Sequence, residues 1–348
     1  MDHFLSTLPW DLSKKTIREL LGLNSDVSIS TTKPPRPFGG YNGEKALIRI
    51  ESQDDVSSQT ILKKVPLDQA QREVQAYQVL TSIGAPVVIC YGLRILSDDQ
   101  AVFAVEYLPY AIDWPISAKL HLDWATATAK FARSPIPKDI ELPQIQFFSA
   151  HDKILNGIEV AIEDPNPELQ TTLKSVNHNR VLSIARDSLP DFLSEIDALP
   201  QGLTHGECYP MHMGRRTPED SVLFFDVATT GMRPRFFDVH GLIVDHGEPY
   251  EIDDITQVLA QFWKIYNQDI SWDSFRWEVR RIEGLIALQN IGIHLNLLHQ
   301  SRGEAWQNAE EAAQGHIKWI HLSFRKADEV LTEWETQSLA RGTLCDMG

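Results

Sequence analysis

The stretch "LTHGECYPMHMGRR", Leu203 to Arg216, gathers two histidines, a glutamate, a cysteine and a proline. Three chemistries are open to it. His205, Glu207 and His212 could hold a transition metal, Cys208 could act as a thiol nucleophile if a base lowered its pKa, or the carboxylate of Glu207 could handle a proton. The spacing fits no established zinc pattern, and Cys208 has no further support beyond its neighbouring histidines, so a structural thiol is the simpler reading.

Two aspartates follow. "VLFFDVATTG" reads as an apolar strand running into Asp226. A carboxylate at the end of a buried strand is costly unless it meets a cation or hydrogen-bond donors. Asp226 is therefore a candidate magnesium ligand, since magnesium prefers oxygen donors and phosphate. "RFFDVHGLI" repeats the arrangement at Asp238, where accepting backbone amides is at least as good an explanation as catalysis.

Upstream, "FGGYNGEKALIRI" sets Gly39, Gly40, Asn42 and Gly43 between two strands. Such a turn can cradle phosphate with its amides, or simply close a hairpin. "ILKKV" places Lys63 and Lys64 on a strand, so their side chains point to opposite faces and only one can face a cleft. Glu73 lies ten residues beyond Lys63 in a helical segment. A Lys–Glu pair bridging strand and helix would steady the lysine against phosphate oxygens; the alternative is an exposed helix charge.

These groups need elements to hold them. Residues 11–24 read as a short helix, and residues 27–50 as β-structure around a Pro- and Gly-rich turn. "QTILKKV", "VVICYGLRIL" and "QAVFAVEYL" read as strands. "LDQAQREVQAYQVLTSIG" has helical spacing, with Val74, Tyr77 and Leu80 on one face and Gly84 at its stop. From residue 110 the texture becomes helical: 120–133, 148–163, 179–197, 251–268, 274–299 and 304–336, interrupted by a β-rich island over 203–245. The expected fold class is α+β, with a helical segment at 1–29, a small β-rich lobe at 30–109 and a large helical lobe at 110–348.

Composition narrows the partners. The chain has 348 residues, 43% hydrophobic and 23% charged, enough for a large core. No apolar run spans a bilayer and no secretory pattern opens the chain. Cys90, Cys208 and Cys345 are odd in number and far apart, which argues against a disulfide framework and for a reducing cytoplasm. A net charge of −16 makes nucleic acid and anionic membranes poor partners. It serves solubility, or draws a cationic substrate to an acidic cleft.

Taken together, the order of motifs resembles the aminoglycoside phosphotransferase and choline kinase group, which shares the protein-kinase fold. The resemblance covers roughly residues 30–245, from the Gly39-Gly40-Tyr41-Asn42 turn, through "LKK…REVQAYQVL" and "VEYLP", to "HGECYPMH", Asp226 and Asp238. It implies a two-lobe kinase-like fold and transfer of the γ-phosphate of ATP, with Mg2+, to a hydroxyl of a small molecule. Lys63 would contact phosphates, held by Glu73. Glu106, Tyr107 and Leu108 would form the lobe connection that meets adenine. Glu207 would accept the proton of the acceptor hydroxyl, His205 would support the loop, and Asp226 would hold the metal with Asp238 as a structural aspartate. His212 stands where the family writes asparagine, and Glu207 where it commonly writes aspartate. Imidazole favours transition metals, so Mn2+ becomes possible beside Mg2+. "DHGEPYEIDDI", Asp245 to Ile255, offers Asp245, Glu248, Glu251, Asp253 and Asp254, which would suit an amine-bearing acceptor or form a solvated loop. A kinase of serine or threonine in a peptide, and a catalytically impaired binding protein of kinase shape, are the rival readings. The sequence does not specify the oligomeric state.

Overall fold

The computed structural model describes residues 12–24, 27–32, 44–51, 57–112, 116–136, 142–243, 254–267, 269–301 and 309–345. Gly39, Gly40 and Asn42, and all of the acidic stretch except Asp254 and Ile255, lie outside them. The elements run α1 (Lys14–Leu21), β1 (Ser28–Thr32), β2 (Glu44–Glu51), β3 (Ser57–Pro66), α2 (Leu67–Ser82), β4 (Cys90–Ile95), β5 (Gln100–Glu106), β6 (Tyr110–Ala111) and α3 (Ala118–Arg133). Then come α4 (His151–Glu163), α5 (Pro167–Leu173), α6 (His178–Asp197), β7 (Gln201–Thr204), β8 (Met213–Arg215), β9 (Leu223–Phe224) and β10 (Gly231–Pro234). The chain continues as α7 (Val239–Ile243), α8 (Thr256–Tyr266), α9 (Trp272–Ser301) and α10 (Ala309–Cys345). Two compact units divide it. One comprises residues 1–143, 203–231 and 241–267; the other comprises residues 144–202, 232–240 and 268–348.

In the first unit, five antiparallel strands form a sheet in the order β1-β2-β3-β5-β4. Strand alternation sorts its two faces. Ala46, Ile48, Ile50, Leu62, Val102 and Ala104 share one face and pack with Leu12, Ile17 and Leu21, so α1 closes that side. Ser13 caps the start of α1 by accepting the Thr16 amide, and Gly22 ends it in the left-handed region at φ 65°. The opposite face carries Lys45, Lys63 and Phe103 in one row across β2, β3 and β5. Helix α2 lies with β3, β4 and β5, burying Glu73, Val74, Tyr77 and Leu80. The first unit also pairs α3 with α8. Trp124, Ala125 and Phe131 are fully buried on α3.

The second unit is largely helical, with α9 and α10 packed along one another. Small residues let its helices close up: a Cβ on Gly284 would lie 2.6 Å from Val330 Cγ1, and one on Gly157 would lie 2.9 Å from Gly292 Cα. Arg281, 1% exposed, donates to Glu195 and Gln337, and the Trp334 indole donates to the same Glu195 carboxylate. The buried guanidinium is thereby paired through Nε and Nη2, while its Nη1 has no hydrogen-bond partner.

Three expectations change here. The strand running into Asp226 is only Leu223–Phe224; the Phe225 amide still donates to the His212 carbonyl in the same register, and the left-handed Asp226 then breaks the extended run. Asp238 does not end a strand; Phe237 and Val239 donate to Pro234 and Phe236 in tight turns that lead into α7. Residues 167–173, unassigned by periodicity, form a helix capped by the Asn166 side chain with Pro167 in its first turn.

Two glycine substitutions test this packing. A Cβ at Gly241 would meet the Cys208 carbonyl oxygen at 2.0 Å, whereas Gly315 has open space. Gly241→Ala should cost about 1–3 kcal/mol by overpacking, and Gly315→Ala should gain roughly 0.5–1 kcal/mol of helix stability. Denaturant unfolding of both variants reads the two signs.

Candidate active site

The Lys63 ammonium is the meeting point of three elements. It is carried on β3, and its Nζ donates to Glu73 Oε1 and Oε2 on α2 at 3.1 and 2.9 Å. It also donates to Asp226 Oδ1, just beyond β9, at 3.0 Å. Glu73 is 1% exposed and Lys63 6%. Phe103, opposite Lys63 on β5, places its ring 5.6 Å from Nζ. Lys64 faces the other way and reaches Glu44 at 3.5 Å, so the lysine on the side of Glu73 and Asp226 is Lys63.

Asp226 is held in the left-handed region at φ 60° and ψ 56°. Aspartate tolerates this better than most residues, yet it stores strain of about 1 kcal/mol or more. Its amide donates to the Tyr77 hydroxyl at 3.0 Å, one helical turn beyond Glu73. The short strand β9 is anchored next to it: Phe224 donates to Pro86, and Val88 donates to Phe224. Thus α2 and the segment before β4 together fix where the carboxylate sits.

The histidine loop is tied by its backbone. Gly206 has φ 89°, a conformation natural only to glycine. His205 is fully buried; its Nε2 donates to the Phe225 carbonyl at 3.0 Å and its Nδ1 accepts the Glu207 amide at 3.3 Å. With both nitrogens engaged it cannot ligate a metal, which removes the zinc reading of His205, Glu207 and His212. Among the described residues no cluster of three or more metal-ligating side chains occurs. The His212 Nδ1 donates to the Glu207 carbonyl at 2.9 Å. A carbonyl can only accept, so Nε2 keeps the lone pair when the ring is neutral, and it stands 4.0 Å from Asp226 Oδ2. The Glu207 carboxylate is 44% exposed, 3.7 Å from His212. Cys208 is buried beneath Trp124 and Thr128, whose Nε1 and Oγ1 lie 3.5 and 3.3 Å from its sulfur. It is a packing residue.

Electrostatics follow from burial and these pairings. Burial pushes the Asp226 carboxyl up, but the charge and hydrogen bond of Lys63, with His212 and Lys45, outweigh it and hold the group below the usual carboxylate value. Burial dominates at Glu73 and lifts it, with Asp226 adding repulsion against the pull of Lys63. For Lys63, burial works against the charge, and the two carboxylates overcome it and raise the group. Asp226 is therefore ionised at neutral pH, as a cation ligand must be. One carboxylate with a nearby imidazole nitrogen fits a divalent cation whose remaining ligands come from phosphate and water.

The linker residues behave differently from one another. The Glu106 carboxylate accepts the Ile89 amide at 3.1 Å and accepts from Nε and Nη2 of Arg216. The Tyr107 amide donates to the Gln59 carbonyl at 3.3 Å. Leu108 is buried against Gly214, where a Cβ would lie 3.0 Å from Leu108 Cβ. Asp254 accepts the Thr256 amide at the start of α8, a capping role. Asp238 is buried at 5% exposure in the second unit. Sequence reasoning missed Tyr77, Lys45 and Arg216. Tyr77 reads as a core position, and its hydroxyl four residues from Glu73 was the available sign; Lys45 alternates onto the face of Lys63; Arg216 and Glu106, 110 positions apart, carry no local signal.

No family model matches the sequence, and no curated protein matches it. Solved structures do. A spectinomycin phosphotransferase in complex with ADP and spectinomycin aligns with TM-score 0.60 at 12% identity, over 92% of this chain and 100% of its own. An aminoglycoside phosphotransferase from Alicyclobacillus acidocaldarius aligns with TM-score 0.56 at 11% identity, over 95% and 97%. An ethanolamine kinase from Plasmodium vivax gives 0.55 at 13% identity, over 89% and 87%.

Lys63→Met tests the ionic centre. In the native protein Asp226 contributes stability that is present above the unfolded carboxylate pKa and lost as pH falls through its lower folded value. Without Lys63, burial and mutual repulsion lift both carboxyls, and the sign reverses. The variant should lose roughly 3 kcal/mol near pH 7, and the deficit should shrink as pH falls and the raised carboxyls take up protons. Denaturant unfolding across pH checks this, and a pH-independent deficit would show that Lys63 acts by packing.

The chain has the α+β, protein-kinase-like fold of aminoglycoside phosphotransferases and ethanolamine kinase.

Proposed function

We propose that the protein is a phosphotransferase that moves the γ-phosphate of ATP to a hydroxyl of a small molecule. The observation that carries this reading is the convergence of Lys63, Glu73 and Asp226 from a strand, a helix and a post-strand turn, with Glu207 on the loop beside them. Such a site works by positioning and charge neutralisation rather than by covalent chemistry.

In this reading Glu73 holds Lys63 extended towards the phosphates. Asp226, kept ionised by Lys63 and fixed by Tyr77, would hold a divalent cation with the Nε2 of His212. When bound, that cation supplies neutralisation of phosphate charge. Glu207 presents an exposed carboxylate to orient the acceptor hydroxyl and accept its proton. His205 keeps the loop in register through its two ring bonds. The linker around Glu106, Tyr107 and Leu108 would meet the base through its backbone, with the Glu106 side chain engaged by Arg216.

The named neighbours act on an ethanolamine or an aminoglycoside-type acceptor, and an amine-bearing acceptor suits a chain of net charge −16. A binding protein of kinase shape is the rival, motivated by Glu207 and His212 in place of the family's usual residues.

Calorimetric titration with ATP, with and without Mg2+, decides the class. The native protein should bind with a magnesium-dependent increment, and Asp226→Ala should abolish that increment while keeping a native melting transition. His212→Asn should shift preference from Mn2+ towards Mg2+ by ligand softness. Phosphate release to a panel of hydroxyl acceptors then separates the readings: nucleotide binding without turnover on any acceptor favours the binding protein, and no nucleotide binding removes the kinase.

A further inference from the structure

Lys45 and Lys63 are directly opposed across β2 and β3. Residues paired across an antiparallel ladder project to the same face, so the two ammonium groups flank each other on the side of Glu73 and Asp226, with Phe103 next in the row. Like charges at opposed positions are destabilising, and burying them adds a desolvation cost. Glu73 and Asp226 attract this second lysine, but burial and the charge of Lys63 outweigh them, whereas a methionine or leucine would fill the same half-buried position without that repulsion.

The four formal charges on this face cancel: two lysines against Glu73 and Asp226. Lys63, however, is divided between both carboxylates through three hydrogen bonds. A nucleotide polyphosphate carries several negative charges, and a divalent cation offsets only part of them. A site for such a ligand needs more positive charge than one shared ammonium supplies, and Lys45 stands beside it. Burial first, then the charge of Lys63, pushes Lys45 below the ordinary lysine value, while the two carboxylates pull it back. An anion lying over both lysines would relieve that repulsion.

We propose that Lys45 is a second phosphate-binding cation, which holds the polyphosphate of the nucleotide together with Lys63. This rests on the kinase reading above and extends it: the phosphate grip is a cross-strand pair of lysines rather than a single one. Two consequences separate this role from a packing role. Removing the Lys45 charge should weaken phosphate-bearing ligands only, and it should leave the ligand-free protein equally or more stable, because a repulsion disappears.

Lys45→Met and Lys45→Arg provide the test, with ATP, ADP and adenosine titrated by calorimetry and ligand-free unfolding followed by heat. Lys45→Met is expected to weaken ATP and ADP about tenfold or more, the scale of a lost charge-assisted hydrogen bond. Adenosine should stay within about twofold, Lys45→Arg should recover most of the ATP affinity, and the salt dependence of ATP binding should flatten in Lys45→Met as screening loses its object. ATP binding by Lys45→Met equal to the native protein would overturn the assignment while leaving the kinase reading intact. Equal losses for ATP and adenosine, or a lowered ligand-free melting temperature, would overturn it by showing a packing role. Failure of the native protein to bind any of the three ligands would instead remove the kinase reading, and this assignment with it.

Discussion

A single ammonium group held between two carboxylates organises the first unit. Lys63 draws β3, α2 and the turn after β9 to one point, and each carboxylate would be untenable there without it. Buried ion pairs give little net stability compared with apolar packing of the same volume, because desolvation consumes most of the Coulomb attraction. Their value is specificity. An ammonium with two partners at fixed distance tolerates little sliding of the strand, the helix or the turn. The arrangement therefore sets register, and only then stability.

The rest of the site is built around the same point in backbone hydrogen bonds. Tyr77 steadies the strained Asp226 from the helix that also carries Glu73. His205 spends both ring nitrogens on its own loop, so it is a structural imidazole in a place where sequence suggests chemistry. Glu207 gives its amide to His205 and its carbonyl to His212, which leaves its carboxylate exposed. The backbone bonds of the loop thus set out two groups for chemistry, this carboxylate and the Nε2 of His212.

Much of this was legible in the chain, and the failures have physical causes. Strand alternation and helical period are local, so the opposed faces of Lys63 and Lys64 and the shared face of Val74, Tyr77 and Leu80 could be read directly, whereas the burial of Glu73 could not, because a helix charge is usually exposed. What alternation cannot show is a backbone that departs from it. The residues before Asp226 look like a long apolar strand, but the strand is short because Asp226 takes a left-handed turn directly after the Phe225–His212 bond. Asp238 failed likewise, since tight turns leave no periodic trace. The helix over Pro167–Leu173 is too short for a period to emerge, and only its Asn-Pro start marks it. The pairing of Glu106 with Arg216 is tertiary throughout.

The burial of Cys208 has a consequence for how the protein meets oxidants. Its sulfur is enclosed by α3, and the other described thiol, Cys90, is pushed up to about 11 by burial, so its thiolate is scarce at neutral pH. Peroxide and alkylating reagents act on thiolates within reach, and neither side chain offers one while the fold is intact. A residue in the middle of the most reactive-looking stretch of the chain is therefore chemically silent. Its modification becomes a clock for opening of the histidine loop, advancing only when α3 and the loop part.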